Sequence, residues 1–345
     1  MSVILSRAIG RGIHEGKVGI RGGLGYRNFG FSSWSQKSWH GERAGNSSAA
    51  KGTGNCTNGI AHFQAAVAYE PKNREENNFV GKKKIQTAKS PTGEDNLFVS
   101  ENDVRGHKAI GVADGVGGWA EAGYDSSAIS RELCASMKNG FEDTSEPESL
   151  HPKQLLIDSF EKVLESDKVF VGGTTACVGI FSPDYKLKIA NLGDSWCGLF
   201  RNYKLVNETK FQTHNFNTPY QLAKIPDFIM KRAAERNRRY ILDTPQMADL
   251  YDWNLQKGDL IMFATDGVTD NVVAQDISLF LKDQLENNPQ KPLEQVARTF
   301  VKQVVRVSKD MKFPSTFAQE LSRLTGQKYL GGKEDDITVV LVRVT

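Results

Sequence analysis

The sequence predicts an α+β protein in which antiparallel sheets are covered by helices. Short apolar strand patterns joined by tight turns occur together in blocks, and helical patterns occur in other blocks. The regular strand–helix alternation of a parallel sheet is missing. The composition, 39% hydrophobic and 25% charged over 345 residues, is that of a globular protein. No apolar run approaches the roughly 20 residues that span a bilayer.

The first sixty residues differ from the rest in composition. They hold 13 of the 32 glycines and carry eight basic residues against two acidic ones, a net charge of +6. So much Gly and Ser opposes both helix and strand. Residues 1–13 combine a sparse apolar face with Arg7 and Arg11, which is typical of a mitochondrial transit peptide. The alternative is a flexible basic tail with no targeting function, which would have the same composition. We therefore divide the chain into a transit peptide with linker, residues 1–60, and a folded domain, residues 61–345.

The first part of the domain is predicted to contain strands followed by helices. Alternation predicts a strand at His62–Tyr69, and short apolar segments predict two more, at Leu97–Val99 and Ala109–Ala113. The polar stretch Glu70–Thr92 predicts a solvated loop. A helix is expected at Tyr124–Lys138, with Ser126 or Ser127 as N-cap and Gly140 just beyond its end. Residues 152–165 predict a second helix, since Pro152 suits a first turn and apolar residues line one face.

The middle of the domain predicts an antiparallel meander, because short strands follow one another through tight turns. Its strands are Thr174–Phe181, Leu187–Leu192, Trp196–Arg201 and Leu205–Thr209. Residues 210–226 are irregular, and a helical stretch follows at 227–239. The remaining elements are an apolar strand at Leu260–Ala264, helices at 274–286, 293–308 and 315–324, and a last strand at Ile337–Val344.

Several other chemistries are excluded by the residues. Four cysteines without a CxxC pair predict reduced thiols rather than a disulfide framework or a zinc site. Residues 115–120 fit the GxGxxA dinucleotide pattern, but the charge of Asp114 would face the pyrophosphate. The chain carries +3 in total and its first sixty residues +6, so the domain itself is net acidic. Its composition gives no reason to expect nucleic-acid binding.

Acidic residues stand at five strand ends. They are Glu94 with Asp95, Asp114, Asp194, Asp266 with Asp270, and Asp335 with Asp336. A single Asp-Gly is most often only a turn. Five such groups converging at one rim would repel one another, and a hard divalent cation would remove that repulsion. All-oxygen ligands suit Mg²⁺ or Mn²⁺, and two such ions can activate water against an electrophile such as phosphorus.

Six segments resemble the metal-dependent protein phosphatases, the protein phosphatase 2C family. They are GEDN at 93–96, GVADGVGGW at 111–119, GGTTA at 172–176, ANLGDS at 190–195, ATDGVTDN at 264–271 and GGKEDDITVVLVRV at 331–344. They occur in the family's order, and the basic leader points to its mitochondrial branch. The resemblance implies two packed antiparallel sheets flanked by helices, with two Mn²⁺ or Mg²⁺ ions at one end of the sandwich.

The resemblance also implies a function: a serine/threonine phosphoprotein phosphatase of the mitochondrial matrix. Its expected partners are phosphoprotein substrates, including enzymes of ubiquinone synthesis, with no nucleic acid and no membrane span. We expect a monomer. Residues 210–226, which contain Phe211, Phe216 and Tyr220, lie where the family has a variable flap. Substrate selection is one interpretation of this segment, and a structured loop with buried aromatic residues is the other.

The resemblance assigns seven residues to metal binding: Glu94, Asp114, Gly115, Asp194, Asp266, Asp270 and Asp335. Asp114 would bridge the two ions, with the Gly115 carbonyl and Glu94 acting through water. Asp266 and Asp335 would be direct ligands, so that Asp114 and Asp266 carry the catalysis. Asp194 and Asp270 match positions linked to a third, weaker ion. A hydroxide between the two ions would attack phosphorus in line and displace Ser or Thr.

Two departures from the family pattern concern catalysis. Val116 stands where many relatives have a histidine that serves as general acid, and Ser90 stands at the position of a phosphate-binding arginine. Lys89 is the expected substitute for that arginine. For the proton we expect a water on an ion rather than His62 or His107. The alternative function is a catalytically silent scaffold or regulatory protein that keeps the metal site.

Overall fold

Two five-stranded antiparallel sheets form the centre of the structure, a computed structural model that describes residues 60–73, 90–101 and 104–345. The strands of the first sheet lie in the order β1 (Phe63–Glu70), β14 (Ile337–Val344), β13 (Leu260–Ala264), β7 (Trp196–Arg201) and β8 (Lys204–Glu208). Those of the second lie in the order β12 (Asp249–Asn254), β6 (Lys186–Leu192), β5 (Ala176–Ser182), β3 (Lys108–Ala113) and β2 (Asn96–Val99). The predicted α+β class is confirmed.

The two sheets bury a shared apolar core between them. Several central strands are apolar at almost every position, because one face meets the other sheet and the opposite face meets a helix layer. Phe181 of the second sheet lies between Phe63 and Phe263 of the first, with ring centroids 5.0 Å and 6.2 Å apart. Phe181 and Phe263 are fully buried. This contact sets the spacing of the sheets.

Helices cover the outer face of each sheet. The second sheet carries α2 (Ser127–Glu142) and α3 (Pro152–Glu165), and the first carries α6 (Ala274–Leu285) and α7 (Leu293–Ser308). Shorter helices are α1 (Gly118–Glu121), α4 (Asp227–Ala234), α5 (Asp266–Thr269) and α8 (Thr316–Thr325), with a 3₁₀ turn at Pro245–Met247. Among the described residues, no helix is both long and apolar enough to cross a bilayer.

The predicted meander is wrong at its centre. Strands β5 and β6 pair as expected, but β7 joins the other sheet and pairs there with β13. The chain therefore crosses from one sheet to the other through Gly193, Asp194 and Ser195. Residue spacing could not reveal this, because the partner of β7 lies about sixty residues further along the chain. The crossing places Asp194 at the end of the sandwich.

Other differences are local. Helix α2 runs on to Glu142, so Gly140 lies within it rather than beyond its end, and the fully buried Phe141 extends its apolar face. Ser126 is the N-cap residue, but its side chain makes no capping hydrogen bond. Strand β12 was not predicted, since most of its residues are exposed or half-exposed. Most of the predicted loop Glu70–Thr92 lies outside the described residues.

Residues 210–226 are more regular than predicted. They contain the short strands β9 (Thr213–Asn215), β10 (Thr218–Pro219) and β11 (Leu222–Lys224). Strands β9 and β10 pair with each other, and β11 pairs with β4 (Gly172–Thr174). The helical stretch expected to reach residue 239 ends at Ala234. Phe211 and Phe216 are exposed, so these two aromatic residues are not part of a buried loop core.

We predict that Phe263→Ala lowers the free energy of unfolding by about 3–5 kcal/mol, because the ring fills the space between the sheets. Leu279→Ala on α6 is the matched control. Leu279 is 65% exposed, so the same kind of truncation should change stability by no more than about 0.5 kcal/mol. Urea unfolding followed by circular dichroism measures both. Equal losses in the two variants would contradict the packing described here.

Candidate metal centre

Acidic residues from four separate strand ends meet at one end of the sandwich. Asp114 follows β3, Asp194 lies in the crossing between β6 and β7, and Asp335 precedes β14. Asp266 opens α5 directly after β13, and Asp270 lies one helical turn further on. The antiparallel pairing of β13 with β14 brings the last residue of one beside the start of the other. The structure thus brings together five of the seven predicted ligands in one cluster.

The Asp114 turn is held through its backbone. Its amide N–H donates to Thr175 Oγ1 at 3.1 Å, and its carbonyl accepts from the Thr175 amide and from Thr174 Oγ1, each at 2.9 Å. The Gly115 N–H donates to the Glu94 carbonyl at 3.2 Å. Each of these bonds joins the turn to another segment of the chain. The Asp114 carboxylate is therefore carried on a rigid support.

Gly115 and Glu94 lie against each other. A Cβ atom on Gly115 would come within 2.6 Å of the Glu94 carbonyl oxygen and 2.7 Å of the Ser126 carbonyl oxygen. The Glu94 carboxylate accepts from Ser126 Oγ at 2.5 Å, and the Glu94 carbonyl accepts from Ser130 Oγ at 2.6 Å. The start of α2 thus fixes Glu94 beside the Asp114 turn, where the resemblance expects it.

Two buried acids that the sequence analysis gave no role support this cluster. Asp336 accepts the N–H groups of Glu94 and Lys72, each at 2.7 Å. Asp95 accepts from Thr265 Oγ1 at 2.7 Å, and its burial raises the pKa of its carboxyl group well above the usual value. The doubled acids in GEDN and KEDD were the available signal. In each pair one residue belongs to the predicted ligands, and the other makes hydrogen bonds within the protein: Asp336 to backbone N–H groups and Asp95 to a side-chain hydroxyl.

Lys333 is a further residue that the sequence analysis missed. Its ammonium group donates to Asp266 Oδ2 at 2.9 Å and to Asp270 Oδ2, and it lies 3.4 Å from Asp335 Oδ2. In the part of the chain that the structure describes, no three acidic, histidine or cysteine side chains already form a metal-binding group. Three of the clustered carboxylates face the ammonium group instead. A divalent ion would therefore share these carboxylates with Lys333.

The electrostatics of the cluster show how strongly its members repel one another. Burial, and then the negative charge of Asp266, raise the pKa of Asp114 and of Asp194 well above the usual value. Burial and the same neighbour raise the pKa of Asp335, and the pKa of Asp270 rises to about 7. Burial alone would raise the pKa of Asp266 as well, but the Lys333 ammonium group lowers it. The cluster as a whole favours cations.

The donor set fits a hard divalent ion. It consists of carboxylate oxygens, with a backbone carbonyl at Gly115, and such all-oxygen sets suit Mg²⁺ or Mn²⁺. One oxygen supports this directly, since Asp194 Oδ1 is buried and has no hydrogen-bond partner among the described residues. A buried carboxylate oxygen without a donor is costly, and an ion or an ion-bound water would satisfy it.

Val116 and Ser90, the two departures from the family pattern, both lie beside residues of the cluster. Val116 follows Gly115 directly, and its N–H donates to the Gly173 carbonyl at 2.8 Å. Ser90 lines an open groove of about 540 Å³ that also borders Lys72 and Asp335. Lys89, the predicted phosphate-binding residue, lies outside the described residues.

The two candidate histidines lie far from the cluster. His107 precedes β3 and Asp114 follows it, so the length of that strand separates them by roughly 20 Å. His62 lies just before β1, whereas Lys72, whose N–H binds Asp336, lies just after it. His62 and His107 are therefore wrong as candidates for the general acid.

Comparison with known proteins identifies clear relatives, although no protein-family model matched the chain. It is 52% identical over 286 residues to the protein phosphatase 2C homolog 7, mitochondrial, of Saccharomyces cerevisiae, with 82% of each chain covered. It is 36% identical over 253 residues to the protein phosphatase PTC7 homolog fig of Drosophila mojavensis, which covers 73% of this chain and 78% of that protein.

Solved structures share the fold. The photosystem II phosphatase PBCP matches with a TM-score of 0.65 and 25% identity, over 82% of this chain and 99% of that one. The serine/threonine phosphatase of S. agalactiae matches with a TM-score of 0.50 and 18% identity, over 82% of this chain and all of that one. The second match shows the fold alone.

We predict that Gly115→Ala destabilises the protein by about 1–3 kcal/mol, because backbone atoms on two sides leave no room for a methyl group. Gly118→Ala is the matched control, since a Cβ atom there would meet nothing within 4 Å. This second change should leave stability within about 0.5 kcal/mol. Urea unfolding in the presence of EDTA measures both without any contribution from bound ions. A Gly115→Ala variant as stable as Gly118→Ala would contradict the close contact with Glu94.

Proposed function

The chain belongs to the protein phosphatase 2C family of serine/threonine phosphatases, and from that premise we propose that it is a metal-dependent mitochondrial enzyme that hydrolyses phosphoserine and phosphothreonine in proteins. The observation that carries this proposal is the cluster of partly buried carboxylates from four strand ends at one end of the sandwich. Such a cluster costs stability unless cations bind it, so it is expected where a protein uses those cations.

In this proposal two Mn²⁺ or Mg²⁺ ions are held chiefly by Asp114, Asp266 and Asp335. Glu94 and the Gly115 carbonyl contribute through water. Support comes from the hydrogen bonds that fix each turn, because a carboxylate on a rigid support pays little to adopt its binding position. Asp194 and Asp270 lie at the positions that the family links to a third, weaker ion.

The chemistry that the ions supply when bound is an activated water molecule and compensation for the charge of the phosphoryl oxygens. The residues of this chain position the reaction. Asp114 and Asp266 orient the nucleophile, since both lie on supports that do not need to move. Val116 has no proton to donate, so the departing Ser or Thr oxygen takes its proton from water. The products are the free hydroxyl side chain and inorganic phosphate.

For phosphate binding we propose Lys89, next to the position where the family has arginine. The Ser90 hydroxyl, which already contacts Thr92 Oγ1 at 2.6 Å, lines the groove beside Asp335. A phosphate oxygen in that groove would lie near Lys72, which borders the groove, and near the ions that Asp335 and its neighbours bind. The flap segment, residues 210–226, is proposed to select substrates, because Phe211 and Phe216 present exposed rings there.

The proposed location is the mitochondrial matrix. The yeast relative carries the word mitochondrial in its name, and residues 1–60 have the basic, acid-poor composition of a transit peptide. Phosphorylated matrix enzymes, including those of ubiquinone synthesis, are the substrates we propose. The domain is net acidic, so its composition gives no reason to add nucleic acid to the partners.

Loss of a ligand charge tests the proposed site. We predict that Asp114→Asn, Asp266→Asn and Asp335→Asn each lower kcat by at least about 10²-fold, a few kcal/mol of transition-state stabilisation. Asp252→Asn on β12, an exposed position, is the control and should keep full activity. The measurement is Mn²⁺-dependent hydrolysis of p-nitrophenyl phosphate and of a phosphothreonine peptide. If the wild type stayed active in excess EDTA, the metal-dependent mechanism would be wrong.

The same assay tests the alternative of a silent scaffold, which the replacements at Val116 and Ser90 favour. A scaffold would bind Mn²⁺ yet hydrolyse neither substrate at any metal concentration. An active enzyme would lose both activities when EDTA is added and regain them with Mn²⁺. Binding without turnover in the wild type would therefore decide for the scaffold.

We predict that residues 1–60 fused to a fluorescent reporter direct it to mitochondria and are removed, with the mature end between about residue 25 and residue 60. Changing Arg7 and Arg11 to Glu in the same fusion should abolish import, since the membrane potential draws basic leaders inward. Imaging and the mass of the recovered reporter provide the measurement. A cytosolic reporter of unchanged mass from the unmodified fusion would refute the leader.

A further inference from the structure

Hydrogen bonds to a buried asparagine fix the backbone of Lys333. Its backbone N–H donates to Asn271 Oδ1 at 2.9 Å, and its carbonyl accepts from Asn271 Nδ2 at 2.8 Å. Asn271 Nδ2 also donates to the Gly267 carbonyl at 2.9 Å, and Asn271 is 1% exposed. Lys333 is thereby clamped to the turn that carries Asp266 and Asp270. Its side chain is directed into the cluster from a fixed base.

The ammonium group also has partners other than the carboxylates. It donates to Asn217 Oδ1 at 3.2 Å and lies 5.3 Å from the centre of the Phe317 ring, a cation–π distance. Phe317 packs against Phe216 with ring centroids 4.9 Å apart. Moving Lys333 out of the cluster would break these contacts along with those to Asp266 and Asp270. The surroundings favour a lysine that stays in place.

The carboxylates that Lys333 neutralises would otherwise form a cation position of their own. Asp266 and Asp270 lie one turn apart on α5, and both contact the ammonium group. The charges of Asp266 and Asp270 act on Asp194 as well, and Asp194 Oδ1 is buried without a donor among the described residues. Three carboxylates so close together are an oxygen-rich site for a hard cation. The ammonium group already supplies a positive charge at that point.

We infer that Lys333 is a resident cation of this centre, which takes the place of a third divalent ion, so that the loaded enzyme holds two ions rather than three. The inference rests on the proposed metal centre. Since Asp266 is shared, the lysine and the two ions act on one set of carboxylates together. Asn217 also ties the hairpin β9–β10 to the cluster through the same ammonium group.

The test compares the full chain with Lys333→Met, Lys333→Gln and Lys333→Arg. Isothermal titration calorimetry with MnCl₂, carried to millimolar free metal after removal of bound ions, counts the ions per chain. We expect two ions in the wild type and in Lys333→Arg, and a third, weaker ion in Lys333→Met and Lys333→Gln. Lys302→Met, which removes an exposed lysine on α7, is the control and should bind as the wild type does.

Thermal unfolding in EDTA gives a second measurement that does not depend on turnover. Without the ammonium group the carboxylates lose their counter-charge, so the Tm of Lys333→Met and Lys333→Gln should fall by at least about 3 °C, while Lys302→Met keeps the Tm of the wild type. Two neutral variants of different shape keep the test open if one of them does not fold. Millimolar Mn²⁺ should recover most of the loss.

The outcomes separate this inference from the proposed function. Two ions in every variant, bound more tightly in Lys333→Met, would mean that metal displaces the lysine, and would overturn the inference while the metal centre stands. Three ions in the wild type would overturn it as well. A wild type that binds no Mn²⁺ would overturn the proposed metal centre and this inference with it.

Discussion

Repulsion among partly buried carboxylates is the constraint on which the rest of this structure depends. Five aspartates meet at one end of the sandwich, and burial weakens the screening that water would otherwise provide. Left to themselves these groups would separate or take up protons. They stay together because each lies on a strand end or turn that is fixed elsewhere, and because Lys333 supplies one positive charge in their midst. Divalent ions would complete the compensation.

Close contacts between backbone segments fix the positions of these turns. At Gly115 the chain approaches the carbonyls of Glu94 and Ser126 so closely that no side chain fits. At Gly267 a Cβ atom would come within 2.0 Å of the Asp336 carbonyl oxygen. Glycine at these two points lets three acidic turns lie nearer to one another than larger residues would permit. The apolar core between the sheets, centred on Phe181 and Phe263, keeps the strand ends in register.

This arrangement separates the roles of paired acids. In the turn at 93–96, the Glu94 carboxylate accepts from Ser126 Oγ beside the Asp114 turn, whereas Asp95 is buried and accepts from Thr265 Oγ1. In the segment before β14, Asp335 joins the cluster, whereas Asp336 receives two backbone N–H groups. One member of each pair is therefore available to bind a cation, because the other makes the hydrogen bonds that fix the turn. A rigid first set of ligands is what a centre that activates water requires.

Much of this could be predicted from sequence, since periodicity and composition report what lies next to a residue along the chain. Strands such as Trp196–Arg201 and Ile337–Val344, the helix from residue 293 to 308 and the acidic strand ends were all predicted, and the family motifs gave the sandwich. Strand β12 was missed because its alternation is weak and largely exposed. Gly140 was misplaced because the burial of Phe141 outweighs the preference of glycine for helix ends.

Only the tertiary structure decided which distant segments share an end of the sandwich. The sheet that receives β7 is set by its pairing with β13, and that pairing carries Asp194 to the cluster. The sequence marked Asp336 as one of the acidic strand ends but not its role, and it did not mark Lys333 at all, since their partners lie up to about 260 residues away. Local sequence determined the elements and the types of ligand. Contacts between residues remote in the chain determined their convergence, because side-chain electrostatics depend on distance in space.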